Sequence, residues 1–392
     1  MSRIDKTRPP TARLVLTLAL APTISLGIGR FAYSLLLPDM RDSLDWSYSA
    51  AGLQNTINAA GYLAGALIAA RLSRRFPLLA LVQAGTLACV LSLALCALSG
   101  NFVAIGLARL LAGLGAAVAF VAGGTLTATL AQREPERASL LIGLFYIGPG
   151  VGILISGLVV PFLLQGLGPG SWWLAWLALT AIAQLLALPL LVLRIDGAAA
   201  RQEAEVGSFA IRPVAIYLLG YFLFGAGYIA YMTFMIAYVR DAGGGALAQS
   251  LFWSLIGLGA LTSPWLWRRL IARGHSGAVT AIVLGVNAIG AALPMLSSSL
   301  AVLALSAAVF GGSFFAVVTT TTAFVRFNYP QAAWPGAIAA MTIAFGVGQT
   351  LGPFATGAIT DYTGSLDSAL AVSAATLGIG ALCAALQRPL RR

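Results

Sequence analysis

Twelve apolar stretches, each roughly 20 residues or longer, follow one another along this chain with only short polar connections between them. They cover 13–37, 49–70, 77–99, 102–130, 139–164, 172–193, 213–238, 247–267, 277–297, 300–325, 336–359 and 368–386. A helix rising about 1.5 Å per residue crosses a hydrocarbon layer of roughly 30 Å in about 20 residues. No water is available there, so backbone amides pair within their own segment and long apolar runs resolve into helices. A soluble bundle is excluded by charge. Only 9% of residues are charged, against about 25% in soluble domains. The expected fold is an all-α membrane protein with twelve transmembrane helices.

The connections alternate in charge. One set carries Arg71, Arg74 and Arg75, then Arg133 and Arg137, then Arg194, Arg201 and Arg212, then Arg268, Arg269 and Arg273, then Arg326, and finally Arg388, Arg391 and Arg392. The other set carries Arg41 and Arg240. The positive-inside bias places the first set and both termini in the cytoplasm of a bacterial inner-membrane protein, surrounded by lipid. This clustering accounts for the net charge of +11. No basic stripe interleaved with aromatics exists of the kind nucleic acid requires. Arg3, Lys6, Arg8 and Arg13 ahead of the first apolar run imitate a signal peptide. That run has a counterpart deep in the chain, so it reads as a permanent first helix.

The counterpart emerges on shifting the sequence by 198 residues. "GIGRFAY" at Gly27–Tyr33 then falls on "GAGYIAY" at Gly225–Tyr231. The same shift superposes Gly61 on Gly259, Arg71 on Arg269, Gly113 on Gly311 and Gly148 on Gly346. A constant, gapless shift across four pairs of segments predicts two pseudo-symmetric six-helix bundles, the plan of transporters that rock one half against the other. The expected divisions are 1–193, a cytoplasmic linker at 194–212, and 213–392.

The shift also isolates two cations, because Arg30 falls on Tyr228 and Arg109 on Ala307. Arg30 lies about 25 Å along the first helix at 1.5 Å per residue, too deep to reach the surface easily. An arginine at a helix centre costs about 2.5 to 3.5 kcal/mol on insertion scales. All twelve acids fall in connections or at helix ends, Asp39 at the exit of the first helix among them. An unpaired buried cation is costly, so the missing anion is expected to be a substrate, with carbonyl or amide partners as the rival.

Other polar residues extend this candidate site. Arg30, Tyr33 and Ser34 are spaced to share a helical face. Gln54 and Asn58 share a face of the second helix with Gly61 and Gly65, and Asn55 and Tyr62 lie beside it. Tyr228 and Tyr231 fall in mid-helix, where their hydroxyls need partners. Gln349 and Trp253 complete the set, while Thr319–Thr322 are expected to bond back to their own helix. Cys89, Cys96, Cys383 and the lone His275 show no metal-ligand spacing, so no metal or cofactor is expected. No phosphate loop, nucleophile elbow or membrane-depth His/Asp pair is present. Neither an enzyme nor an ATP-driven pump is indicated.

"IGLARLLAGLGAA" at Ile105–Ala117 reproduces the R-x-x-x-G-x-G pattern of the fourth helix of the major facilitator superfamily through Arg109, Gly113 and Gly115. "GPGVG" at Gly148–Gly152 resembles its fifth-helix motif, and "GVGQTLGP" at Gly346–Pro353 echoes it in the eleventh helix. "GALIAARLSRR" at Gly65–Arg75 is similar to the superfamily's loop motif, with Ala69 or Ala70 in place of its acid. "GIGRFAYSLLLPDM" followed by "NAAGYLAGAL" resembles the YbfB-like bacterial branch. The resemblance implies a secondary transporter working by alternating access and functional as a monomer. It also implies that Arg109 has a structural or gating role as the alternative to substrate contact. The expected substrate is a small organic anion such as a carboxylate, bound by Arg30, Tyr33, Gln54, Asn55, Asn58, Arg109, Tyr228, Tyr231, Trp253 and Gln349. The alternative is proton-coupled efflux of neutral or cationic amphipathic compounds, for which Asp39 is the nearest acid. A non-transporting membrane sensor is a third reading, ranked last.

Overall fold

The computed structural model describes residues 11–195, 209–273 and 275–390. Among the described residues, twelve long helical segments follow one another. They are α1 (Thr11–Ser43), α2 (Tyr48–Arg75), α3 (Leu78–Leu98), α4 (Phe102–Ala131), α5 (Pro135–Leu167) and α6 (Trp172–Leu191). The second six are α7 (Ala215–Asp241), α8 (Ala246–Ile271), α9 (Ala278–Met295), α10 (Leu300–Asn328), α11 (Trp334–Thr363) and α12 (Leu366–Ala385). No strand occurs among the described residues. Most of the expected linker, 196–208, lies outside them.

Eleven of these segments are long and apolar enough to cross a membrane. The exception is α2. Gln54, Asn55 and Asn58 lower its apolar content, and all three are buried among neighbouring helices. Two helices are less regular than the sequence suggests. The α5 helix is interrupted at Ile147, just before Pro149. In α1, Thr23–Phe31 winds as a π-helix between α-helical stretches ending at Pro22 and resuming at Tyr33.

The helices of each half approach closely where glycine removes the side chain. A Cβ on Gly27 would lie 2.5 Å from Gly152 Cα, so α1 and α5 touch through their backbones. Gly113 of α4 abuts Asn58 and Gly61 of α2. Its repeat counterpart Gly311 abuts Ile256, which is the counterpart of Asn58. The thiol of Cys89 donates to the Ala112 carbonyl at 3.4 Å. Its counterpart Asn287 donates to the carbonyl of Phe310 at 3.2 Å, and Phe310 is the counterpart of Ala112. The two bundles therefore reuse one set of crossings. They meet along α2 with α11, α5 with α8, and α1 with α7.

Because connections alternate, α1 and α12 place both described chain ends at one end of the bundle, the terminal end. Arg41, Tyr48, Arg240 and Asp361 lie at the opposite, far end.

Candidate functional site

Arg30 is the last residue but one of the π-helical stretch and is 3% exposed. One guanidinium nitrogen, Nη2, donates to Gln349 Oε1 of α11 at 2.6 Å. That same oxygen accepts from the Tyr228 hydroxyl of α7 at 3.1 Å. The two residues that the repeat places in equivalent positions thus converge on one acceptor. The Arg30 guanidinium carbon stands 4.9 Å from the ring centre of Tyr62 and 5.8 Å from that of Phe31, within the range at which a cation is drawn to a ring face.

Among the described residues, two N–H groups in this cluster find no partner: Arg30 Nε and Gln349 Nε2 are both buried and unbonded. Each is a donor only, so both call for an acceptor. Among the described residues, neither Arg30 nor Arg109 forms an ion pair. The surrounding wall is aromatic. The Tyr228 ring lies near parallel to Phe345 (5.5 Å) and Phe314 (6.1 Å), and Phe31 meets Phe314 edge-on at 6.4 Å.

Arg109 is spent differently. Its Nη1 donates to the Gly29 carbonyl at 2.8 Å and its Nη2 to Asn55 Oδ1 at 3.0 Å, with a longer contact to the Arg30 carbonyl. Its guanidinium sits 4.6 Å from the Tyr33 ring centre. Arg109 therefore ties α4 to the widened turns of α1 and holds the backbone that carries Arg30. Asn55 continues the chain by donating to Thr233 of α7 at 2.6 Å.

The remaining sequence candidates separate from this cluster. Gln54 donates to the Phe102 carbonyl and Asn58 to the Arg109 carbonyl, so the polar face of α2 is packed on α4. Tyr33 donates to the Ala51 carbonyl, Tyr231 shares a hydrogen bond with Ser306, and Trp253 donates to Ser156. The sequence spacing sets Arg30, Tyr33 and Ser34 on one α-helical face. The structure instead sends Arg30 to Gln349 of α11 and the Tyr33 hydroxyl to Ala51 of α2, on either side of the end of the π-helical stretch at Phe31. Tyr62 stands outside the binding set expected from the sequence, and the structure places its ring against Arg30. Asp39 directs its two oxygens to the amides of Gly170 and Trp172, each at 2.8 Å, capping the start of α6.

Comparison with known proteins adds a family and a fold. A family model described as the uncharacterised MFS-type transporter YbfB matches residues 22–385. The inner membrane transport protein YdhP of Escherichia coli O157:H7 is 26% identical over 356 residues, covering 86% of this chain and 88% of that protein, and its K12 counterpart matches to the same extent. Among solved structures, a mutant of the nucleoside transporter NupG superposes with a TM-score of 0.71 at 16% identity, covering 95% of this chain and 98% of that one. A bacterial homologue of the human lysosomal transporter Spinster gives 0.65 at 15% identity, over 97% of this chain and 95% of that one.

Proposed function

This chain belongs to the MFS-type transporter family of YbfB, and from that membership we propose that it carries a small organic anion, such as a carboxylate, across the bacterial inner membrane. The observation behind this reading is the buried pair of unbonded donors, Arg30 Nε and Gln349 Nε2, beside a cation that no carboxylate of the described chain neutralises. A ligand carboxylate supplies the acceptor oxygens that both lack, and a guanidinium grips it through two parallel bonds. Tyr228, Phe345, Phe314 and Phe31 offer an apolar wall for the body of the molecule. Tyr62 supports the guanidinium from its ring face. Arg109, Asn55, Asn58, Gln54 and Tyr33 hold α1, α2 and α4 in register behind Arg30, while Tyr231 and Trp253 brace α10 and α5.

In this reading the halves 1–193 and 213–392 move as two bodies about the site, tethered by 194–212, and one monomer suffices. The arginine-rich connections lie in the cytoplasm with both termini, and the far end faces the periplasm. Efflux of amphipathic cations against protons is the competing reading. It calls for an acid in the membrane core, and the nearest, Asp39, has both oxygens engaged at the cap of α6.

A thermal-shift screen of purified protein against carboxylates, amino acids, sugars and lipophilic cations tests the proposal. Ligand at 100 times its Kd stabilises the folded state by about 2.7 kcal/mol. Carboxylates should raise the melting temperature of the wild type and leave folded Arg30→Ala unmoved. A response confined to lipophilic cations, or one that survives in Arg30→Ala, rejects the anion reading.

A further inference from the structure

Among the described residues, the side-chain bonds that join the two halves share a location. Arg30–Gln349, Asn55–Thr233, Thr56 with the Thr350 carbonyl, and Trp253–Ser156 lie at the level of Arg30 or beyond it toward the far end. At the far-end rim the halves are fastened once more. Asp361, near the end of α11, accepts from the backbone amides of Tyr48 and Ser49, each at 2.8 Å. Beside it Arg240 pairs with Asp42 at 2.7 Å, and the Tyr48 hydroxyl donates to Asp241 at 3.3 Å.

Asp361 is placed against its own interest. A carboxylate at the C-terminal end of a helix faces the negative end of that helix's dipole, whereas the N-terminus of another helix attracts it. Tyr48 and Ser49 are the first two residues of α2, whose leading amides have no partner within the helix. Ser47 of the same half serves Ala50, and Asp361 of the other half serves the two amides before it. The N-terminus of α2 is thus capped across the interface between the bundles. Backbone contact reinforces this seam, because Gly52 abuts the Pro353 carbonyl and Gly357 abuts the Tyr48 carbonyl.

The repeat-related seam, between α5 and α8, is built otherwise. Position 163 there is Leu163 in place of Asp361, and the first residue of α8 is Ala246, after Gly245, which supplies no capping side chain. A cleft of about 680 Å³ opens at this seam, among Pro161, Gln165, Arg240, Gly245 and Gln249. One seam of the rim carries a capping carboxylate and the other does not, and the cleft at the second is edged by the Arg240–Asp42 pair.

We infer that Asp361 is the clasp of the far-end gate, and that its charge, by capping α2 from the opposite half, biases the empty protein toward the state closed at that end. Opening there parts α2 from α11 and leaves the amides of Tyr48 and Ser49 to water. The naming of this end as periplasmic rests on the proposed function; the clasp does not, and neither does its test.

The test is spin-label distance measurement on the full-length, ligand-free protein in lipid nanodiscs, with Cys383 replaced by serine. One label pair, at Ser43 and Tyr362, spans the far-end rim. A second pair, at Arg71 and Arg269, spans the terminal end. Removing an exposed negative charge from a helix N-terminus forfeits enough to change an open-to-closed ratio by roughly two- to fivefold. Asp361→Asn should therefore lengthen the Ser43–Tyr362 distance in a larger fraction of molecules and shorten Arg71–Arg269 in the same fraction. Asp361→Glu should stay nearer the wild type. A second arm removes the donor: proline is welcome at the first helical position and lacks the amide hydrogen. Tyr48→Pro should open the rim more than Tyr48→Ala does, and this comparison stands even if Asp361→Asn fails to fold. Unchanged distances in both arms, or lengthening at the rim with no answering change at the terminal end, overturn the inference.

Discussion

The oxygen of one glutamine joins the two halves at mid-membrane. Gln349 Oε1 accepts from Arg30 and from Tyr228, and bonds to a charged donor are worth about 1.5–3 kcal/mol where neutral ones give about 1 kcal/mol. Gln349→Leu should therefore destabilise the empty protein by about 2–4 kcal/mol, chiefly by orphaning the Arg30 guanidinium. Tyr228→Phe should cost only about 0.5–1.5 kcal/mol. Adding Arg30→Met to Gln349→Leu should recover much of the loss, because the guanidinium that lost its acceptor is then gone. Melting temperatures of the two single variants and the double variant form the cycle, and strictly additive losses would show that the two side chains do not act on each other. Arg30→Lys should keep the fold but weaken anion binding, since an ammonium cannot present the planar fork.

Helix lengths were legible because the bilayer sets them: the first segment, expected over 13–37, spans Thr11–Ser43, and the last, expected over 368–386, spans Leu366–Ala385. The π-helical turns of α1 were not legible. "GIGRF" shows flexible glycines and a costly arginine, but the carbonyls of Gly29 and Arg30 receive their donor from Arg109, on α4 and 79 or 80 residues away. Spacing along one helix cannot register a bond that another helix supplies, so it groups Tyr33 with Arg30 when the Tyr33 hydroxyl serves Ala51. The repeat was the better guide, because it compares positions across the whole chain and leads to Tyr228 as the partner facing Arg30. The glycines that set the α2–α4 crossing offer a check. A Cβ on Gly113 would lie 2.6 Å from the Tyr62 amide and closer still to the Asn58 carbonyl, both of them backbone. Gly113→Ala should force α2 away from α4 and lower stability by about 1–3 kcal/mol, the usual cost of overpacking. An unchanged melting temperature would mean that this crossing relaxes freely.

Between the bundles, the side-chain bonds among the described residues stand at the level of Arg30 or on its far side, so a protein clasped at the far end should admit water from the terminal side. Phe345 reports on this. It lies one turn before Gln349 on the terminal side of α11, is only partly buried, and stacks on Tyr228 and Tyr221. A cysteine there, in a protein whose Cys383 has been replaced, has little competition, because Cys89 and Cys96 are buried. Phe345→Cys should react with a membrane-impermeant thiol reagent added from the terminal side and stay protected from the far side, where α2 and α11 are clasped. Combining it with Asp361→Asn should reverse the preference in part, since the gate that opens at one end closes at the other. Labelling from inverted vesicles and from intact cells separates the two sides. Equal reaction from both would mean that the halves part along their whole length, and preferential reaction from the far side would place the open mouth at the wrong end of the bundle.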